Sequence, residues 1–528
     1  MFLTHGEWGL VTSTETNAVP PATSRPMRLL LRLLGVIERA GNKLPHPFWL
    51  FVLMAGVVIV LSAVLDAVGA FAISPADGER VEITSLLSQA GLHLMLGEAV
   101  DNFATFPPLA LIVAVMLGVA VAERSGLLTA LLRRTVTRVQ PKYLTFALSL
   151  AGISASVASD AAYVVLVPLG ALVFKAAGRS PILGLVVAYA SIAAGYDASV
   201  FITAGDVLFA GITTSAAELV QPGYVVSPLA NYFFTAASAI VLALVITAVT
   251  EFVLTRRAQS IEVDGDGVDE ELGSMNLSDA ERKGLRNAGW TLLGIAAVVA
   301  LALIPPGSPA RGEDGGLLDS AVVTGIAVVL GLTFLLTGYV YGRTTGSLTR
   351  AREIPVAMAQ GVRDLAPVIV LFFAASQFIA YFKWTNMGEV VAIRGAELLE
   401  DAEVPTLVMF LGMLVAACVM GVLLTSGSAL WTLIAPVFVP MFLLLNVPAE
   451  TTLALYRIAD SGTNLISPMS PYFAMALGFL QRYRKQAGIG TLMSLTLPIA
   501  LSVMTAWTLL FLAWWGIGIP LGPGAPVR

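Results

Sequence analysis

Charged residues are scarce in this 528-residue chain. Asp, Glu, Lys and Arg make up 12% of it, roughly half the share found in soluble proteins. Hydrophobic residues make up 57%, and the mean hydropathy is +0.83. So few charges cannot cover the surface of a soluble protein of this length, whereas several apolar runs reach the roughly 20 residues that cross a bilayer as a helix. The composition therefore predicts a polytopic, all-α membrane protein.

Cysteine and histidine are also scarce, which limits the disulfides and metal sites that the chain could form. Cys418 is the single cysteine, so no intrachain disulfide can form. The three histidines, His5, His46 and His93, have no metal-binding spacing, so neither a zinc enzyme nor another bound cofactor is expected. The net charge of -5 leaves no basic surface for nucleic acid. A role in membrane transport rather than catalysis is the expectation that remains.

Apolar runs of membrane-spanning length predict nine crossings. Lys and Arg cluster in alternate gaps between them, and the positive-inside rule assigns those gaps to the cytoplasm. An odd number of crossings places the N-terminus in the cytoplasm and the C-terminus outside. The predicted crossings are 48–73, 106–122, 181–204, 231–254, 288–304, 319–341, 366–382, 451–480 and 487–515.

The same pattern divides the chain into two transmembrane halves. The halves are 48–254 and 288–515, and the acidic segment 255–287 is predicted to be a cytoplasmic linker between them. Residues 1–47 are predicted to be a cytoplasmic segment with a basic amphipathic helix on the membrane surface. Residues 516–528 would form a tail on the outer side.

Two apolar stretches do not fit simple crossings. Residues 143–174 are too long for one crossing and too short for two, and a polar tip at 154–160 lies between basic ends. Residues 405–447 have a matching tip at 425–428, but their flanks are acidic. Polar backbone at membrane depth persists only where protein or water surrounds it. We interpret both stretches as re-entrant helical hairpins, the first opening inward and the second outward.

An interrupted crossing follows each hairpin. Gly and polar residues interrupt the apolar pattern at 191–199 in the first half and at 457–464 in the second. The order of polar tip, proline, short loop and broken helix therefore occurs twice, with opposite orientations in the membrane. Inverted repeats with broken helices are the architecture of many secondary transporters, which bind substrate near the bilayer midplane.

The second broken helix contains two ionisable side chains at membrane depth, where a charge costs at least roughly 2.5–3.5 kcal/mol and therefore indicates function. Arg457 and Asp460 are three residues apart, so they share a helix face and could pair with each other. Arg457 could instead bind a substrate carboxylate through its planar guanidinium. Trp431, three residues past the second hairpin tip, could stack against a flat ligand or simply pack in the core.

The first half supplies acids without a neighbouring base in the sequence. Asp160 lies at the hairpin tip, and Asp197 and Asp206 lie around the helix break. Together with unwound carbonyl groups, such acids could bind a coupling cation, or they could carry a proton. Apart from this possible sodium site, no metal site is predicted.

The stretch SGSALWTLIAPVFVP at 426–440, followed by YRIADS at 456–461, resembles the p-aminobenzoyl-glutamate transporter (AbgT) family, and the likeness extends over about 26–515. The resemblance implies nine crossings, two opposed hairpins and a homodimer. It also implies ion-driven transport of p-aminobenzoyl-glutamate or export of sulfonamide antimetabolites. The residues that it places at the substrate site are Ser428, Trp431, Arg457, Asp460 and Pro468, with Asp206 on the first-half side.

This chain departs from the family pattern at positions that bear on ion coupling. Where the family has an asparagine in each half, the chain has Ser199 and Gly421, and it adds Asp197 nearby. The residues predicted to take part in coupling are Asp206, Asp197, Ser199 and Asn464. Our hypothesis is that Asp197 makes coupling partly or wholly proton-based, and sodium is the alternative.

The resulting prediction is a homodimeric, elevator-type secondary transporter in the plasma (inner) membrane of a bacterium, which moves a small aromatic carboxylate or a sulfonamide. One alternative keeps the mechanism but changes the cargo to a small dicarboxylate. Another is an intramembrane hydrolase with Ser426 or Ser428 as nucleophile and Asp460 beside it. No histidine or lysine lies near these serines in the sequence to activate them.

Overall fold

A computed structural model describes residues 45–528 except for 76–77, 138, 159–160, 260, 262, 266–276 and 313–314. The predicted amphipathic helix within 1–47 and the candidate Asp160 lie outside the described residues. Helices dominate the described part of the chain. Two short strands, β1 (Phe71–Ile73) and β2 (Arg80–Glu82), pair antiparallel with Ala72 opposite Val81.

Twenty-one helices follow one another along the described chain, with 3₁₀ turns at Pro141–Tyr143 and Ser154–Ala158 and a π turn at Thr250–Leu254. They are α1 Pro47–Ala67, α2 Gln89–Gly97, α3 Ala99–Ala104, α4 Pro107–Ser125, α5 Leu127–Thr137, α6 Leu144–Ile153, α7 Ala161–Ala176, α8 Pro181–Ala194, α9 Ala204–Ala217, α10 Tyr232–Val249, α11 Thr255–Gln259, α12 Asp279–Leu303, α13 Ala321–Thr324, α14 Ile326–Thr345, α15 Glu353–Trp384, α16 Met387–Asp401, α17 Thr406–Leu423, α18 Gly427–Leu444, α19 Ala449–Asn464, α20 Pro471–Tyr483 and α21 Ile489–Ile517.

Nine of the helices in the described residues are long and apolar enough to cross a membrane. The number equals the predicted number of crossings, but its members differ. Both arms of the second hairpin, α17 and α18, are among the nine. The predicted crossing 181–204 instead consists of the short helix α8 and a loop, with a second short helix, α9, beginning at Ala204, and the predicted crossing 451–480 is divided between α19 and α20. The division follows from the Gly and polar residues that interrupt both crossings.

The first hairpin consists of α6 and α7, and its tip includes the 3₁₀ turn Ser154–Ala158. It packs closely on α8: a Cβ atom added to Gly152 would lie 2.6 Å from the Cβ of Ser191, and one added to Gly195 would lie 2.5 Å from Ile153 Cγ1. These glycines let the two backbones approach. The tip therefore lies level with the break between α8 and α9.

The second hairpin turns back at the corresponding level. Residues 424–426 join α17 to α18, and the Ser467 hydroxyl, in the break between α19 and α20, donates to the carbonyl oxygen of Val422 at 3.0 Å. A Cβ on Gly427 would lie 2.7 Å from Asp460 Oδ2. Each arm has 18 residues, but the tip ends beside the broken crossing. The predicted arrangement of two hairpins facing two broken helices is confirmed.

Several predicted boundaries move. The predicted crossing 48–73 ends as a helix at Ala67, because the chain turns at Gly69, whose φ of +66° favours glycine, and continues into β1. Helix α12 begins at Asp279, inside the predicted linker 255–287. Ser278 and Glu281 form a capping box that satisfies free N–H groups there, which explains the early start.

Candidate functional site

Helix α19 brings the polar residues of the second half into the interior. Every residue from Ala449 to Thr463 is buried, and the exposed fractions of Arg457 and Asp460 are 3% and 2%. An arginine and an aspartate are rarely this buried unless they are paired. The partners of these two side chains therefore determine what the site can do.

Arg457 is held mainly by residues of the first half. Its Nη1 atom lies 2.9 Å from Asp206 Oδ1 and 3.4 Å from the carbonyl oxygen of Asp197. Its Nε atom donates to Asn231 Oδ1 at 3.1 Å. The guanidinium carbon lies 5.5 Å from the centre of the Phe209 ring, within the range of a cation–π contact. The carboxylate bound to this guanidinium is therefore that of Asp206.

The possible pairing of Arg457 with Asp460 is therefore not the one observed. Asp206 is available because it caps the N-terminus of α9: its Oδ2 atom accepts from the backbone N–H of Thr203 at 2.7 Å and from the Thr203 hydroxyl at 2.8 Å. A carboxylate is favoured at this end of a helix by the helix dipole. Its second oxygen, Oδ1, is left to face Arg457. Asp206 therefore both stabilises the start of α9 and pairs with Arg457.

Asp460 faces the tip of the second hairpin. The Tyr456 hydroxyl lies 3.2 Å from Asp460 Oδ1 and 2.6 Å from the carbonyl oxygen of Gly427. The amide nitrogen of Asn464 donates to Asp460 Oδ2 at 3.3 Å. These contacts join α19 to the first residues of α18.

Asp197 and Asp460 come from different halves, and their carboxyl groups lie within hydrogen-bonding reach of each other. The Ser461 hydroxyl donates to Asp197 Oδ2 at 3.1 Å and accepts from the Asp197 N–H at 3.0 Å. Two buried carboxylates in contact repel each other unless a proton or a cation offsets one of the charges. The pair can therefore hold a proton. Among the described residues no three His, Cys, Asp or Glu side chains converge closely enough to hold a metal ion.

Trp431 is fully buried between α9 and α19. Its ring stacks on that of Tyr456, with centroids 4.4 Å apart and an angle of 24° between the planes. Its Nε1 atom donates to the Thr213 hydroxyl at 3.0 Å. In this conformation the indole belongs to the core, as the alternative prediction held. Its predicted contact with a flat ligand stays a prediction.

The remaining predicted site residues lie near this cluster without joining it. Ser428 is at the hairpin tip, where its hydroxyl lies 3.4 Å from that of Ser426. Pro468 is half-buried in the break between α19 and α20. Ser199 accepts from the N–H of Phe201 at 3.0 Å and so shapes the loop between α8 and α9. Its predicted part in ion coupling stays a prediction.

Sequence reasoning missed several partners. Asn231 holds Arg457 and donates to the backbone oxygen of Glu450 at 3.0 Å. The Tyr224 hydroxyl donates to Glu450 Oε2 at 2.7 Å, and burial together with that carboxyl group raises the pKa of the Tyr224 phenol. The phenol therefore stays a proton donor. The sequence feature that could have pointed to Asn231 is its position as a polar residue at the start of the predicted crossing 231–254.

Comparison with known proteins agrees with this arrangement. The sequence profile of the AbgT transporter family matches residues 32–528. The p-aminobenzoyl-glutamate transport protein of Escherichia coli (strain K12) is 37% identical over 494 residues, which cover 93% of this chain and 96% of that protein.

Two solved structures are similar along their whole length. The Alcanivorax borkumensis YdaH transporter is 36% identical with a TM-score of 0.86, covering 91% of this chain and 100% of that one. Neisseria gonorrhoeae MtrF, described as representing a class of antimetabolite efflux pumps, is 38% identical with a TM-score of 0.89, covering 94% and 100%. Sequence and fold thus agree over nearly all of the chain, which is a multi-pass membrane protein and belongs to the AbgT transporter family.

Proposed function

We propose that this protein transports p-aminobenzoyl-glutamate, or exports sulfonamide-type antimetabolites, by coupling their movement to an ion gradient. The observation that carries the proposal is the buried Arg457, held by Asp206 and Asn231 between the two halves. A carboxylate or sulfonamide anion can replace Asp206 on the guanidinium, since a charge-assisted pair is the strong form of hydrogen bond in such a site. The relatives named above support this cargo.

The aromatic part of the cargo would lie against the Trp431–Tyr456 stack. Both rings are buried beside Arg457 on α19, so one small region offers a cation and an aromatic surface together. An aromatic carboxylate matches that combination, because ring stacking adds about 0.5–1.5 kcal/mol beyond the area buried. Opening of the second hairpin, which carries Trp431, would give access to the surface.

We further propose that the coupling ion is a proton carried by the Asp197–Asp460 pair. The contact between the two carboxyl groups is the support, since it needs one neutralising charge. Asn464 already donates to Asp460, which leaves fewer oxygen atoms for sodium at this position. Sodium bound at Asp460 and Asn464 is the alternative.

Transport in proteoliposomes with sodium and pH gradients imposed separately tests cargo and ion together. We expect labelled p-aminobenzoyl-glutamate or a labelled sulfonamide to accumulate in response to the pH gradient, and excess unlabelled cargo to compete. Accumulation that follows the sodium gradient and ignores the pH gradient would reject proton coupling. Equal competition by succinate would assign the site to small dicarboxylates instead.

Hydrolysis is the alternative from another class. The hydrogen-bond partners of Ser426 are the Ser428 hydroxyl and the backbone N–H of Ala429. In the described residues, neither serine contacts a histidine or lysine that could act as its base. We therefore expect labelled cargo to be recovered chemically intact after transport. Recovery of cleaved products would instead support the hydrolase.

We also propose an elevator-type movement within a homodimer in the bacterial plasma membrane, with the N-terminus in the cytoplasm and the C-terminus outside. Two hydrophobic clusters support the movement: one contains most of both hairpins and both broken crossings, and the other contains α1, the β-hairpin and α15 and meets the second hairpin at Ala429. A body with its own core can shift against its neighbour without exposing that core. Cysteine cross-links between α18 and α16 that block transport, and reporter fusions at both ends of the chain, test movement and orientation.

A further inference from the structure

A basic cleft lies away from the transport site, between α5 and the first half of α12. Its volume is about 860 Å³, and none of the residues that line it belongs to the site around Arg457. Arg134 contributes from α5, and Arg282, Lys283 and Arg286 contribute from α12. The cleft lies in the part of the chain that the positive-inside rule assigns to the cytoplasmic face.

The charge of the cleft is unbalanced. Four cationic side chains line it against one acid, Asp279, which lies 2.8 Å from Arg282 and is fully exposed. Among the described residues, no ion pair neutralises Arg134, Lys283 or Arg286. A group with more than one negative charge, or with one charge shared over several oxygens, would complement this surface.

An apolar face continues directly from these charges. Four residues that line the cleft follow one another along α12 at helical spacings of three or four, and so they lie on one stripe of the helix: Arg282, Arg286, Gly289 and Leu293. On this side of the helix, Leu293 and Leu301 are 59% and 69% exposed. Only 11% of the apolar part of α12 is buried inside the chain. Such a helix surface is suited to acyl chains.

Trp290 marks the boundary between the two surfaces. It lines the cleft, follows Arg286 by one helical turn, and is 67% exposed. Exposed tryptophans of membrane proteins concentrate at the level of lipid headgroups. The cationic side chains therefore lie at headgroup depth and the apolar stripe at acyl-chain depth.

We propose that this cleft binds an anionic phospholipid, with the phosphate between Arg134 and the α12 cations and the acyl chains along the apolar stripe beyond Leu293. Basic clefts between transmembrane helices at the cytoplasmic side recognise anionic headgroups in this way. A soluble anion would use the cations but not the stripe. The proposal does not depend on which cargo or ion the protein carries.

Native mass spectrometry of the full-length protein in detergent, supplied with equal amounts of phosphatidylglycerol and phosphatidylcholine, tests the proposal. We expect wild type to retain much more phosphatidylglycerol than phosphatidylcholine. In the Arg282→Gln/Lys283→Gln/Arg286→Gln variant, the ratio of retained phosphatidylglycerol to retained phosphatidylcholine should fall at least tenfold. The matched control, Arg350→Gln/Arg352→Gln/Arg363→Gln, removes three exposed cations elsewhere and should bind like wild type. Arg134→Gln, on the other helix, should weaken retention by itself.

Three outcomes would overturn the assignment. The first is equal retention of the two lipids by wild type, a measurement that does not depend on how any variant folds. The second is that glycerophosphate or inorganic phosphate competes as well as phosphatidylglycerol, which would identify the occupant as a soluble anion. Retention by the α12 variant equal to that of the control variant would also refute it.

Discussion

The two broken crossings share an architecture and differ in how fully their polar groups are bonded. At the second, Tyr456, Asn464 and Ser467 all make hydrogen bonds, which connect to Asp460 or to the second hairpin. At the first, the hydroxyl groups of Ser154, Ser156 and Ser191 are buried without a hydrogen-bond partner among the described residues. A buried, unbonded hydroxyl costs free energy. Within the described residues, the first hairpin therefore makes fewer side-chain hydrogen bonds at its broken helix than the second does.

The charges are also divided between the halves. The first half supplies two acids, Asp197 and Asp206, while the second supplies Arg457 and Asp460. Each half alone would bury an uncompensated charge. Together they form one ion pair and one carboxyl pair across the repeat boundary. The comparison teaches that a repeated architecture need not repeat its chemistry, and that the site exists only where the halves meet.

Removal of the shared cation should have the largest effect. Arg457→Ala leaves Asp206 buried without its partner, and breaking a buried pair in this way costs about 3–5 kcal/mol. We expect lost transport and a lower melting temperature. The double variant Arg457→Ala/Asp206→Asn should regain most of the thermal stability without regaining transport. A single variant that inserts normally and transports at the wild-type rate would contradict the assigned site.

The two acids of the first half should separate into different functions. Asp197→Asn removes one member of the carboxyl pair, so we expect a pH gradient to stop driving accumulation while exchange of labelled for unlabelled cargo continues. Asp206→Asn removes the carboxylate charge that the cargo has to displace from Arg457 and should lower the KM of exchange. Flux measurements in the two modes distinguish the variants. Identical defects in both would argue against separate proton and cargo roles.

The aromatic stacks provide a matched pair between the halves. Trp431 stacks on Tyr456, whereas Tyr163, just past the first hairpin tip, stacks on Tyr472 with centroids 4.1 Å apart. Trp431→Leu should weaken binding of an aromatic cargo by about tenfold, corresponding to the roughly 1.4 kcal/mol at the upper range of a stacking pair. Tyr163→Leu should lower stability and leave cargo affinity unchanged. Competition binding and thermal melting measure the two effects, and an equal loss of affinity in both variants would contradict the assignment.

The smallest effects are expected from replacing one buried serine beside each hairpin. Ser191→Ala removes an unbonded hydroxyl and should leave the melting temperature unchanged or slightly raised. Ser467→Ala removes the bond to the Val422 carbonyl and should cost about 0.5–1.5 kcal/mol. Thermal melting of the two purified variants compares them directly. A larger loss at Ser191 than at Ser467 would mean that the first tip is the better bonded one.

Much of the fold could be predicted because lipid imposes strict rules on sequence. Apolar runs gave the helices, and the polar tips of the two hairpins were recognisable since exposed backbone is not tolerated at membrane depth. The end of α1 at Ala67 and the early start of α12 were missed. Both depend on local features, a glycine turn and a capping box, which hydropathy does not register.

The contacts among the candidate site residues could be predicted only in part. Arg457 pairs with Asp206, whereas helical spacing suggested a pairing of Arg457 with Asp460 within one turn. Asn231 and Thr213 were missed because single polar residues in apolar helices resemble packing residues in sequence. The burial of Trp431 against Tyr456 could not be predicted from spacing, because the two rings lie on different helices.

The sequence by itself determined that the chain lies in a membrane, that it is helical, and that two helices break at polar segments, because these properties follow from local composition and from the cost of unbonded backbone in lipid. Tertiary structure alone decided that Asp206 rather than Asp460 pairs with Arg457 and that Asp197 meets Asp460. Those partners come from opposite halves of the chain, and a buried charge is stabilised by whichever groups the fold brings to it, not by those nearest in sequence.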